Sequence, residues 1–140
     1  MSQTLPAFTA QDALVAVMVA VSVSDENIRT SELVAIERQV NHLPVFAGFP
    51  SDRLREVAQT VYALMAEEDG LDTLFALVRT ALHERLHETA YALACDVAAA
   101  DVKLGQTELR MLEEVREELN VDRLHAAAIE FGARARHRRI

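Results

Sequence analysis

Asp25 and Glu32 stand seven residues apart, and Asp101 and Glu108 repeat that spacing 76 residues later. The two copies read Asp25-Glu26-Asn27-Ile28-Arg29-Thr30-Ser31-Glu32-Leu33 and Asp101-Val102-Lys103-Leu104-Gly105-Gln106-Thr107-Glu108-Leu109. In each, an Asp closes an apolar segment and a Glu opens the next, polar-faced one. Hard divalent cations take oxygen ligands, so two carboxylates at one corner, with loop carbonyls, offer Ca²⁺ or Mg²⁺ part of a shell. The pattern is not an EF-hand, which needs acidic or amide side chains at alternating loop positions, a central Gly and a twelfth-position Glu. The same residues also have a purely structural reading. A first-turn Glu folds back onto the N-cap amide and favours the helix dipole, and an Asp shapes a loop by accepting from its amides. Composition and spacing leave both readings open.

A second constellation competes. His83-Glu84-Arg85-Leu86-His87 matches His-Glu-x-x-His. On one continuous helix the two imidazoles would share a face and hold Zn²⁺, with Glu84 as general base and a distant carboxylate such as Glu108 as third ligand. The 76-residue repeat, however, puts a helix junction at about residues 83–86, which separates the histidines. No strand is apparent to align a peptide substrate. The pentapeptide is therefore read as incidental polar surface, with a zinc hydrolase as its alternative. His42, His125 and His137 are lone residues at helix ends or on the surface. The single Cys95 lies in the apolar run Ala90–Ala100 and is expected to be a buried thiol. Ser or Cys nucleophile constellations and Gly-rich phosphate loops are absent, so no catalytic residue is assigned and the expectation is a non-enzyme.

The elements that must hold these residues are helices. Thr9 and Asp12 form a capping-box pattern opening a helix of about residues 10–24, apolar on every face from Ala13 to Val21. A helix of about 30–42 follows, with Leu33, Ile36, Val40 and Leu43 expected inward. Residues 43–50 hold two prolines and a glycine and read as a connection. Ser51 is expected to cap a third helix of about 52–67, and Glu67-Glu68-Asp69-Gly70 breaks it. A fourth spans about 71–83, and a fifth, Ala-rich one about 86–100. A sixth covers about 106–119 with Leu109, Leu112, Val115 and Leu119 inward, and Asn120 caps a seventh of about 121–135. No segment alternates with period two, so the fold class is all-α: about seven helices, with helices 1–2 and 5–6 as duplicated hairpins around two central Ala-rich members. The whole chain, 1–140, reads as one domain with pseudo-repeats at about 8–48 and 84–124.

The 140 residues carry a net charge of −8, although four Arg fall in the last seven positions. An acidic body repels nucleic acid and anionic lipid, while it suits a divalent cation or a basic protein surface. The tail, residues 134–140, reads as a frayed, solvated terminus, with contact to phosphate or acidic lipid through its arginines as the alternative. The longest nearly uncharged apolar run, Ala13–Val23, is too short to cross a bilayer, and Met1–Phe8 lacks the features of a secretory leader. The expectation is a cytoplasmic protein with protein partners, no nucleic acid and no membrane insertion; peripheral membrane association and a homodimer are compatible with it.

Residues Ala20–Asp25 through Glu32, and more closely Glu88–Asp101 through Glu108, resemble the tellurite-resistance TerB family. The likeness spans about residues 8–130 and rests on both Asp-to-Glu loops in order within a seven-helix pattern. It implies an all-helical, internally duplicated fold. It also implies divalent-metal binding by the loop acids, here Asp25, Glu32, Asp101 and Glu108, and a part in tellurite resistance or stress response through protein assemblies rather than catalysis. The chain departs from the family's Asp-Gly step: Glu26 and Val102 follow the two aspartates. Because valine resists positive φ, the second loop is expected to be reshaped.

Overall fold

The computed structural model describes residues 7–23, 30–100 and 105–140, the side chains of 30 and 31 apart. Among them are seven α-helices and no strand: α1 Ala10–Ser22, α2 Thr30–His42, α3 Ser51–Met65, α4 Gly70–Ala81, α5 His87–Ala99, α6 Gln106–Glu118 and α7 Arg123–Arg136. Both boundaries of α2 recur 76 residues on in α6, and α1, α2, α5 and α6 are each 13 residues long. The expected pairs of similar hairpins are therefore α1–α2 and α5–α6.

The α1 sequence explains its place. Ala13 through Val21 are all buried, because a helix with no polar stripe must be covered on every side. It packs against α2, α3, α4, α5 and α6. Its Ala-rich counterpart α5 packs on α1, α2, α6 and α7, its small side chains letting these neighbours approach. The first turn of α1 is fixed by a complete capping box: Asp12 N–H donates to Thr9 Oγ1 at 3.1 Å and Thr9 N–H donates to Asp12 Oδ2 at 3.0 Å. The proline-bearing connection holds a 3₁₀ turn at Pro44–Phe46. Gln11 Nε2 ties it to α1 by donating to the carbonyls of Val45 and Ala47 at 3.1 and 3.0 Å.

Several local expectations change. Leu33 and Leu109 were placed inward, but each is 44% exposed. Ser51 is the first residue of α3 rather than its cap; Pro50 precedes it and makes no side-chain cap. Asn120 does not cap α7. It takes φ 51°, the left-handed conformation that closes a helix, just after α6. The α7 cap is Asp122, whose carboxylate accepts from the amides of Leu124 and His125 at 3.0 and 3.2 Å.

Candidate functional site

The two glutamates of the repeated motif occupy equivalent places. Glu32 lies in the first turn of α2 and Glu108 in the first turn of α6, and both are 0% exposed. They lie on the core stripes: Glu32, Ile36 and Val40 are spaced four residues apart on α2, and Glu108, Leu112 and Val115 are spaced by four and then three on α6, with every one buried. The helices are thus rolled by one residue from the stripe that hydrophobicity alone selects. The carboxylate turns inward, and the following leucine, Leu33 or Leu109, turns out. On α2, Val34 is also exposed at 45%.

Burying a carboxylate costs several kcal/mol unless it is compensated (~2–7 even for an unpaired neutral polar group). Neither Glu32 nor Glu108 is without a partner. A first-turn position adds the favourable end of the helix dipole. Asp25 and Asp101, the other two predicted ligands, lie outside the described residues, as do residues 24–29 and 101–104 as a whole. The described residues alone contain no group of three or more His, Cys, Asp or Glu able to hold a metal. Carboxylate oxygens as a donor type match hard cations better than zinc.

The His-Glu-x-x-His segment is not a helical metal pair. His83 is extended (φ −61°, ψ 146°) and caps a 3₁₀ turn, Glu84–Leu86, its Nδ1 accepting from Arg85 N–H at 3.1 Å. His87 begins α5, and its ring lies between two backbone carbonyls: Nδ1 is 2.9 Å from Leu119 O and Nε2 is 3.2 Å from Leu82 O. The junction expected from the repeat falls between the two histidines, so they share no continuous helix, and the His87 ring serves to join the start of α5 to the ends of α4 and α6. The hydrolase alternative loses its geometric basis.

Cys95 is buried as expected. It lines a cavity of about 300 Å³ between α5, α6 and α7 together with Tyr91, Leu112 and Glu130. Burial pushes its thiol pKa up to about 12, so the nucleophilic thiolate is scarce at neutral pH. The Tyr91 hydroxyl donates to Glu130 Oε2 across this cavity; burial first, and then Glu130, drive its pKa upward. Sequence reading passed over this pair, since no local spacing links residues on two helices so far apart in the chain.

No helix among the described residues is long and apolar enough to cross a membrane. The sequence model of the family described as Tellurite resistance protein TerB matches residues 11–130. Comparison with curated proteins and with solved structures gives no match. The match covers most of the chain and both motif copies, and the protein belongs to the TerB family.

Proposed function

We propose that this TerB-family protein is a non-enzymatic binding module in which a divalent cation, Ca²⁺ or Mg²⁺, governs how two corners of the helical bundle are shown to a protein partner. The observation that carries this reading is the repeated inversion at Glu32–Leu33 and Glu108–Leu109, with a fully buried carboxylate beside a half-exposed leucine. Glu32 and Glu108, with Asp25 and Asp101 from the preceding loops, supply hard oxygen donors. A cation drawing those donors together would fix the first turns of α2 and α6 and so fix Leu33, Val34 and Leu109 on the surface. Exposed apolar side chains rimmed by charge are what a protein partner buries. Family membership supports a role connected with tellurite resistance; in this reading the protein acts there, or in the metal and envelope stress response, by assembly rather than by catalysis.

The competing reading is a plain interaction scaffold whose acids only shape helix ends. It is favoured by the partners that Glu32 and Glu108 already have. Titration with Ca²⁺ and Mg²⁺ followed by NMR separates the two. Saturable shifts centred on residues 25–32 and 101–108, lost in Asp25→Asn/Asp101→Asn, support cation binding. Spectra that do not move up to millimolar concentrations leave the scaffold.

A further inference from the structure

A cleft of about 700 Å³ lies between α2, the C-terminal end of α5 and the residues after α7. Its charge runs against that of the molecule. The chain carries −8 overall, yet among the described residues the cleft is lined by Arg38, Arg136, Arg138 and Arg139, with Asp96 as the one acid. We infer that this cleft is a binding site for a phosphate-bearing anion, with the guanidinium groups of Arg38, Arg138 and Arg139 as its donors.

Asp96 is already committed. Its Oδ1 accepts from Arg136 Nη2 and Nε at 2.7 and 3.2 Å and lies 3.3 Å from His137 Nε2, while its Oδ2 accepts from Gln39 Nε2 at 3.3 Å. With its side chain only 15% exposed, Asp96 joins α5 to α2 and to the end of α7 and projects little negative charge into the cleft. This junction places the chain after α7 beside α2. Arg138 and Arg139 thereby line the same cleft as Arg38, together with Ala35, Ala99 and Ala100. None of those three arginines makes an ion pair with an acid among the described residues. Small side chains in the lining leave room for an anion, and guanidinium forks match phosphate oxygens in pairs. Three such groups without acidic partners repel one another until an anion lies between them.

Phosphate groups reach such a cleft from a soluble phosphate compound or from a lipid headgroup, and the experiment separates these sources. Calorimetric titration with inorganic tripolyphosphate is run beside co-sedimentation with phosphatidylcholine vesicles made with and without phosphatidylglycerol. Two variants of equal charge change are compared: Arg38→Ala/Arg138→Ala/Arg139→Ala in the cleft, and Arg55→Ala/Arg110→Ala/Arg123→Ala outside it. The expected result is saturable binding that the cleft variant weakens by about tenfold or more, one to two lost charge-assisted contacts, and the outside variant leaves within about twofold. Binding of tripolyphosphate then identifies a soluble ligand, and binding confined to phosphatidylglycerol vesicles identifies a headgroup. Equal weakening by both variants, or saturable binding to neither probe, overturns the proposal. Circular dichroism of each variant confirms the helical fold, and Asp96 and Arg136, which hold the frame, stay unchanged.

Discussion

Asp12 and Arg53 form a two-pronged ion pair that joins the first turn of α1 to the first turn of α3. Arg53 Nε donates to Asp12 Oδ1 at 3.0 Å and Nη2 to Oδ2 at 2.8 Å, while Asp12 itself is 1% exposed. The same carboxylate closes the α1 capping box, so one buried acid fixes both a helix start and a helix pairing. Burial pushes its carboxyl pKa up, but the Arg53 and Thr9 donors outweigh that and hold it below the ordinary value of 3.8. A group whose folded pKa is depressed contributes stability above its unfolded pKa and loses it as pH falls through the folded value. Arg53→Ala is expected to cost about 2 kcal/mol at neutral pH. That lies under the ~3–5 of a fully buried pair, because Arg53 is about a third exposed and water screens part of its interaction. Urea melts at pH 7 and at pH 3 check this: the variant should show a smaller difference between the two than the wild type.

The corner between α3 and α4 depends on one absent methyl group. A Cβ built on Gly70 would stand 1.5 Å from the carbonyl oxygen of Leu64, and a backbone atom cannot swing aside as a side-chain end can. Gly70→Ala is therefore expected to destabilise by about 3 kcal/mol, the upper end of overpacking costs, although alanine is the better helix former. Thermal unfolding followed at 222 nm measures it. A variant as stable as the wild type would mean that the corner can open without cost.

His125 and Glu88 join α7 to α5 on the surface, with Nδ1 2.6 Å from Oε2. The hydrogen bond to Glu88, then the charges of Glu88 and Asp122, raise the histidine pKa above 6.5. A raised folded pKa gives a contribution that is complete below the unfolded value and lost as pH rises through the folded one. The titration of the His125 ring by NMR should therefore centre above 6.5, and Glu88→Gln should move the midpoint back toward it. A midpoint unmoved by that change would show that the pair does not persist in solution.

The α2 boundaries, Thr30 and His42, and the all-apolar α1 were legible because each rests on local chemistry: helix formers throughout and a run with no polar face. The helix junction inside His83–His87 was legible from the repeat, since a chain duplicated at 76 residues must break where its second copy begins. The caps at Ser51 and Asn120 were misplaced because several polar residues at a helix start compete, and the geometry of the incoming chain decides among them. Asp12–Arg53, Asp96–Arg136 and Tyr91–Glu130 were illegible for a different reason. Each partner is about 40 positions away, and no sequence period connects them. Two of the four predicted acids, Glu32 and Glu108, stand at buried first-turn positions; Asp25 and Asp101 lie outside the described residues.

The roll of α2 and α6 is where hydrophobic periodicity gave the wrong face, and it yields the sharpest mutational contrast. Leu33, Ile36, Val40 and Leu43 make a helical stripe in sequence, but Glu32, Ile36 and Val40 make an equally helical one, and of the two residues that distinguish their starts Glu32 is buried while Leu33 is exposed. Counting apolar residues selects the first; the structure turns each carboxylate inward, where it has partners. Leu33→Ser is accordingly expected to change stability by no more than about 0.5 kcal/mol, as an exposed substitution does. Ile36→Ala, three residues on, should cost about 2–5 kcal/mol as a core truncation, and Glu32→Gln about 1–3 through the altered partners of a buried acid. Parallel changes at Leu109, Leu112 and Glu108 should follow the same order. Chemical denaturation of the six variants decides it: a Leu33→Ser variant as damaged as Ile36→Ala would place the leucine inward and remove the surface on which partner recognition is proposed.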